Sequence, residues 1–535
     1  MSESAKRQSF LHGAALLALA TAIVKVIGAL YKIPLNSIIG TQGFSYFNTA
    51  YDIYSVLLMV STAGLPVAMS RMISEASSLN RYGQMRQIYR TARTIFVAIG
   101  LAGSLLMTVF CRQLADFQEQ PDAWAAIACL GPAALLVCLL SAFRGFFQGQ
   151  SNMIPTSVSQ VLEAACKLVV GLGAAYFLLK STSSVPLAAG GAILGVTSGC
   201  FIAVCYLFGK FRKSYRALPR DDGPVDSFGR TARKLLAIAI PITIGAAGLQ
   251  IITMLETKVY MGQLKTIGYT QGEADSLKGI YNFAQTIFNM PCAFIAPITV
   301  SAIPAITSFL TLRDHRNVRA TEESASRVLA LISMPCAVGL MVLAKPIMSL
   351  LGGYTGENLE LATRLMAMLG LCVVFNATVL LTNAMMQAHG HVNLPVVNML
   401  IGGVLKLTVI YILTGNPNIG IIGTPIGTVC CYICITALNL FAMHRVIRRP
   451  PAMVRNMLRP LLAALVMGAA VFGTSRILGH VVEIGTRMGK LLHCALPIAV
   501  GGVVYLVMVV ALKAFTREDC ELLPGGAKIA KLLRL

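Results

Sequence analysis

"LLALATAIVKVIGAL" spans residues 16–30 and is apolar along its length apart from Thr21 and Lys25, with no polar/apolar alternation. A membrane β-strand alternates in hydrophobicity over ~10 residues, whereas a helix crossing the hydrocarbon needs ~20 mostly apolar residues in succession. The stretch reads as the middle of a transmembrane helix. Fourteen such runs follow one another, at 10–31, 46–69, 91–111, 124–147, 155–179, 187–209, 235–256, 280–303, 327–350, 361–386, 395–414, 419–443, 458–478 and 491–513. Only 12% of the 535 residues are charged and 56% are apolar, against about 25% charged in soluble domains. The fold class is therefore an all-α polytopic membrane protein. The run starting at Phe10 follows Lys6 and Arg7 but is not closed by a small-residue cleavage pattern, so it is expected to remain as the first span.

A net charge of +22 would suggest nucleic acid in a soluble protein, so the position of the basic residues decides its meaning. Nine lie in the odd-numbered connections: Lys32, Arg112, Lys180, Lys258, Lys265, Lys278, Arg476, Arg487 and Lys490. Thirty lie on the other side, in segments such as "FRKSYRALPR", "RDHRNVR" and "HRVIRRPPAMVRNMLR". By the positive-inside rule that side is cytoplasmic, with both termini. The charge is topological and no nucleic-acid partner is expected; the protein is expected in a cell membrane as a monomer. The fourteen cysteines sit mostly inside apolar runs, as small packing residues, and neither they nor the seven histidines suggest a metal site.

The chain also repeats itself. "RGFFQGQSNMIPTSVSQVLEAACKL" (144–168) is echoed by "NAMMQAHGHVNLPVVNMLIGGVLKL" (383–407), with Gln148 matching Gln387, Lys167 matching Lys406 and Pro155 matching Pro395. "LPVAMSR" (65–71) and "IPAITSF" (303–309) agree, aligning Pro66 with Pro304 and Ser70 with Ser308. These anchors share an offset of 238 to 240 residues, which indicates two homologous halves. One six-helix lobe occupies 1–209 and the other 235–444, joined by a charged linker at 210–234; helices 13 and 14 and a basic tail fill 445–535. Lobes with an even number of helices run parallel across the membrane, and a path between them is the natural substrate route.

Ionisable groups inside spans are costly unless they face a wet cavity or a partner. Lys25, Lys167 and Lys406 are candidates for a cationic substrate cavity, and Asp52, Glu163 and Glu256 for cavity acids or an ion-coupling site. Glu163 and Lys167 stand four residues apart on one helical face, so a local ion pair is one reading. The alternative follows from the repeat: Lys406 has Gly402 where a matching acid would stand, so the lysine is retained without its partner. Such lysines suit a phosphate or diphosphate, which an ammonium binds as a point charge. The acids suit sodium or proton coupling. No Gly-x-x-x-x-Gly-Lys-Ser/Thr loop is present, "GTRMGKLL" (485–492) being only superficially similar, so neither an enzyme nor an ATP-driven pump is indicated and no cofactor is expected.

"KVIGALYKIPLNSIIGTQGFSYFNTAYDIYSVLLMVSTAGLPVAMSRMISE" (25–75) makes the reading more specific. Its Ile33-Pro34-Leu35, Gly40, Gly43, Tyr46, Ala50-Tyr51 and Ser61-Thr62-Ala63-Gly64, followed by Pro66 and Ser70, resemble the opening of the polysaccharide transporter branch of the MATE-like flippase superfamily. Within it the chain is most similar to the stage V sporulation protein B and MurJ-type lipid II flippase group. The resemblance implies a V-shaped, two-lobed bundle of fourteen helices working by alternating access on undecaprenyl-linked sugars. It also implies that Lys25 takes the place of a basic cavity residue, although Tyr31 stands where a second arginine is expected. Helices 13 and 14 then supply a groove for a lipid tail. The leading expectation is a flippase for a lipid-linked cell-wall precursor. A cation-coupled multidrug exporter and a non-transporting scaffold for wall synthesis in sporulation are the alternatives.

Overall fold

Helix α1 (Glu3–Met59) joins the first two predicted spans, because the break between them is a single residue: Gly40, at φ 68° and ψ −177°. Positive φ is strained for residues that carry a Cβ, so glycine is what permits the bend. The chain continues through a π-helical turn, Val60–Gly64, into α2 (Leu65–Ser78). A computed structural model describes residues 3–219, 223–447, 450–481 and 487–514. The Lys25 side chain, residues 220–222 of the linker and the basic tail beyond 514 lie outside that description.

Two packing units divide the chain, Met1–Gly279 and Ile280–Leu535. The first holds α1, α2, α3 (Tyr82–Val109), α4 (Cys111–Phe117), α5 (Trp124–Gly149), α6 (Ile154–Thr182), α7 (Val185–Arg216), α8 (Phe228–Thr266) and the first turns of α9 (Gln271–Thr311). Residues 235–279, which the repeat assigns to the second half by homology, pack in this first unit, where α8 lies against α1, α2 and α3. Helix α9 starts at Gln271 rather than near 280. Thr270 and Glu273 cap it reciprocally: the Thr270 backbone N–H donates to Glu273 Oε2 at 2.9 Å, and the Glu273 N–H to Thr270 Oγ1 at 3.4 Å.

Small residues set the packing that places the site. Ideal Cβ atoms on Gly195 and Gly199 of α7 would lie 2.4 Å from the Gly171 Cα and 2.6 Å from the Glu163 carbonyl oxygen, so only glycine lets α7 press this closely on α6. The side chains of α6 that do not meet α7 are left for α1 and for lipid. Val169 and Phe177, at 72% and 70% exposure, take the lipid-facing role.

The second unit holds the rest of α9, α10 (His315–Val342), α11 (Ala344–Leu351), α12 (Gly356–Ala388), α13 (Asn393–Thr414), α14 (Gly423–Val446), α15 (Met453–Val481) and α16 (Arg487–Ala511). Buried Asn439 ties three of these together: its Nδ2 donates to Thr382 Oγ1 and Asn383 Oδ1, and its Oδ1 accepts from Asn398, each at 2.8 Å. Such polar bridges keep helices in register where lipid offers no hydrogen bonds. Helix α15 is docked on α10 through Ala464 against Ala330 and Met334, its Met467 and Val471 pack against Leu343 just past the end of α10, and α16 joins through Tyr505, whose hydroxyl donates to the Leu331 carbonyl at 2.8 Å.

Among the described residues twelve helical stretches are long and apolar enough to cross a membrane, and no strand occurs. One of them, Val26–Ser78, has 53 residues; unbent at ~1.5 Å per residue it would far exceed the ~30 Å hydrocarbon core. The structure is that of an all-helical, multi-pass membrane protein. The division into fourteen passes is an expectation of the sequence pattern alone.

Candidate functional site

Lys167 projects from α6 into aromatic side chains supplied by the second half of α1. Its Nζ donates to Tyr51 Oη at 2.7 Å and lies 4.6 Å from the centroid of the Tyr51 ring, 5.1 Å from that of Tyr31 and 5.8 Å from that of Phe47. Phe47 and Tyr51 stand about one helical turn apart after the Gly40 bend of α1, and Tyr31 reaches the same ammonium from before that bend. Tyr31 is in turn fixed by its hydroxyl, which donates to the Ala192 carbonyl of α7 at 3.0 Å. A ring face carries partial negative charge, so the cage stabilises an ammonium while contributing no carboxylate.

Glu163, one turn earlier on α6, does not pair with Lys167. Its Oε2 accepts from Arg144 Nη2 of α5 at 3.0 Å, and Arg144 Nε donates to Ser159 Oγ at 3.0 Å. The local ion pair is thus replaced by one between helices, the α5 guanidinium spanning the α5–α6 gap to reach both Glu163 and Ser159. Arg144 is a cavity residue that the hydropathy pattern passes over: it stands at the end of the run 124–147, where an arginine ordinarily reaches the interface. Lys167, Glu163 and Arg144 share one cavity of about 490 Å³, with Tyr31, Tyr51 and Tyr54 in its wall. Two cations face one carboxylate there, so the described lining carries net positive charge.

A second polar centre in the same unit surrounds Lys278. This side chain has no exposure, and its Nζ donates to Gln120 Oε1 at 2.9 Å and to Thr49 Oγ1. Asp52 Oδ2 lies 3.7 Å from it and accepts from Thr257 Oγ1 at 2.9 Å. Gln120 Nε2 donates to Asp275 Oδ1 at 2.6 Å and to Ser45 Oγ at 2.6 Å, while Tyr46 Oη donates to Asp275 Oδ2 at 3.1 Å. Glu256, 3% exposed, lies within electrostatic range of Asp52 and Lys278. Lys278 is therefore not a connection residue, as the charge count has it, but the buried centre of a network joining α1, the 118–122 segment, α8 and α9. The hydropathy signal hides it, whereas Thr270-x-x-Glu273 marks a helix start early enough to place Asp275 and Lys278 on one helical face.

The predicted residues thus fall into separate places. Lys167 and Glu163 border one cavity, and Asp52 and Glu256 belong to the Lys278 network. Lys406 lies half-buried on α13 in the second unit. Lys25 lies on α1, with its side chain outside the described residues.

Residues 10–310 match the family model described as polysaccharide biosynthesis protein, and residues 275–412 match the MatE model. The chain is 24% identical over 532 residues to an uncharacterized membrane protein, YabM, of Bacillus subtilis, covering 99% of this chain and 97% of that one. It is 23% identical over 518 residues to the lipid II flippase MurJ of the same organism, covering 93% and 94%. Among solved structures, lipid II flippase MurJ in an inward closed conformation superposes with a TM-score of 0.66 at 15% identity, over 93% of this chain and 98% of that one.

Proposed function

The chain belongs to the polysaccharide biosynthesis protein family, and from that membership we propose that it moves an undecaprenyl-linked cell-wall precursor from the cytoplasmic to the outer leaflet by alternating access. The observation that carries the reading is the Lys167 cavity. Its cations, Lys167 and Arg144, face one carboxylate, Glu163, and the ring cage around Lys167 leaves its charge uncompensated by any acid of its own. A lipid-linked sugar presents a diphosphate, and an ammonium and a guanidinium are the side chains suited to it.

A multidrug exporter for cations would be served by a net acidic cavity, which this one is not, although the MatE match places the two activities in related folds. Lys25 and Lys406 are the further proposed substrate-binding cations. Asp52 and Glu256 are the proposed coupling acids. Because Lys278 already supplies a cation to Asp52, protonation of an acid perturbs this network with less rearrangement than entry of a sodium ion, which would compete with the ammonium for the same oxygens.

Complementation of cells depleted of their lipid II flippase tests the reading. Rescue by the wild type and its loss in Lys167→Ala, at matched membrane abundance, is the expected result. If the wild type reaches the membrane and does not rescue, lipid II is the wrong cargo; if Lys167→Ala rescues as well as the wild type, the cage is structural.

A further inference from the structure

A second cavity, of about 470 Å³, opens in the other unit where the end of α10 and α11 meet α15 and the start of α16. Three basic side chains line it, one from each of three helices: Lys345, Arg476 and Lys490. The imidazoles of His480 and His493 and the hydroxyls of Ser349 and Ser475 share the wall, and no acidic residue lines it among the described residues. The resemblance implies a lipid-tail groove on these last two helices, but neither it nor the Lys167 reading accounts for the three basic side chains gathered here.

The convergence is unfavourable unless an anion relieves it, since like charges brought together at reduced dielectric repel more strongly than in water. The fold holds them there nonetheless. Gly468 of α15 sits against Val338 of α10, and Gly501 of α16 sits against Val471 and Met467 of α15, so α10, α15 and α16 pack closely, while Lys345 enters from α11, which follows directly on α10. The Arg476 guanidinium is steered by Phe472, whose ring centroid is 5.2 Å from its Cζ. A guanidinium set over a ring of the wall, with two ammonium groups and hydroxyl donors lining the same cavity, is a donor set for a phosphate ester. The rest of the wall is apolar, with Val342, Pro346, Leu359 and Phe472. A free ion has no use for such a surface, whereas the glycerol or prenyl portion of a lipid does.

We propose that this cavity binds the phosphate or diphosphate head of a lipid. It lies at the end of α15 remote from the basic stretch 445–459, which the positive-inside rule makes cytoplasmic, so the cavity is assigned to the outer leaflet. The head is either that of a resident anionic phospholipid or that of a polyprenyl diphosphate, which present the same oxyanion chemistry. The volume suits such a head and not a whole oligosaccharide. The inference rests on the membrane placement of α15 and α16 and stands apart from the flippase reading.

Native mass spectrometry of the full chain in nonionic detergent tests it, with phosphatidylglycerol, undecaprenyl diphosphate, phosphatidylcholine and inorganic phosphate as probes. The wild type is expected to retain phosphatidylglycerol or undecaprenyl diphosphate over phosphatidylcholine, and a K345Q/R476Q/K490Q variant to bind the retained lipid weaker by on the order of tenfold or more. Charge-preserving K345R/K490R is expected to bind as the wild type does, which separates lost charge from lost fold. Loss confined to one of the two lipids identifies that lipid as the source. Displacement of both by millimolar inorganic phosphate would show that the phosphate group alone is recognised and would overturn the lipid assignment. Equal binding of all lipids by the wild type and the triple variant would overturn the site altogether.

Discussion

The Lys278 ammonium stands 3.7 Å from the partly exposed Asp52 carboxylate with no exposure of its own side chain, so the first turns of α9 are held to the second half of α1 by a charge pair whose cation is fully buried. Removing one member of such a pair leaves the other uncompensated, which costs about 3–5 kcal/mol. Lys278→Met is expected to lower the thermal unfolding midpoint in detergent, and Asp52→Leu added to it to restore part of the loss. A Lys278→Met protein as stable as the wild type would refute the mutual dependence.

The same junction depends on the absence of a side chain. A Cβ on Gly279 would fall 1.9 Å from the Thr41 carbonyl oxygen, so α9 must retreat and stretch the bond from Gln42 Nε2 to the Gly272 carbonyl, now 3.2 Å. Gly279→Ala is expected to destabilise by about 1–3 kcal/mol. Gly262→Ala, with nothing within 4 Å of the added methyl group, is the control, and is expected to stabilise α8 by about 0.5–1 kcal/mol. Thermal denaturation of the two proteins side by side distinguishes them.

The partner of Glu163 can be measured by double-mutant cycles. With Arg144 at 3.0 Å and Lys167 bonded to Tyr51 instead, the Glu163→Gln/Arg144→Gln cycle is expected to show a coupling of about 1 kcal/mol. The Glu163→Gln/Lys167→Met cycle should show less, and the reverse order would restore the pair within one helix.

Charge and packing at Lys167 are separable. Methionine fills an aromatic cage with favourable sulfur contacts, so Lys167→Met is expected to change stability by less than ~1 kcal/mol while abolishing rescue of flippase-depleted cells. Tyr51→Phe removes one hydrogen bond, about 0.5–1.5 kcal/mol, and should leave rescue reduced but present. Equal rescue by Lys167→Met would show that the cage needs bulk and not charge.

Outside the membrane, Asp226 tethers the segment before α8. The hydrogen bond from Lys234 at 2.8 Å, more than the charges of Lys234 and Arg230, holds its carboxyl below the usual aspartate value. A depressed value means that the tether contributes fully above the unfolded-state pKa, about 3.9, and is lost as pH falls through the lower folded-state value. Pepsin cleavage near Asp226 is expected to rise only in that acidic window. Asp226→Asn should remove the pH dependence, and a pH dependence unchanged by this substitution would assign it to another group.

Much of the site's chemistry was legible at the level of residue type and little at the level of partners. Lys167, Glu163, Asp52 and Glu256 stand out because ionisable groups are rare in apolar runs. Arg144 and Lys278 do not, since each lies at the margin of a run, where a long cation is ordinary. The capping pair Thr270 and Glu273 is the local signal by which Lys278 becomes visible.

Sequence alone determined that this is a multi-pass helical membrane protein of a recognisable family. Hydrocarbon leaves every backbone N–H and C=O to be satisfied within its own segment, so apolar run length suffices to specify a helix. Which charges meet was decided only by the tertiary structure. Lys278 and Gln120 are 158 residues apart and Lys167 and Tyr51 are 116 apart, and no local pattern encodes a contact made by packing separate helices through glycines and rings.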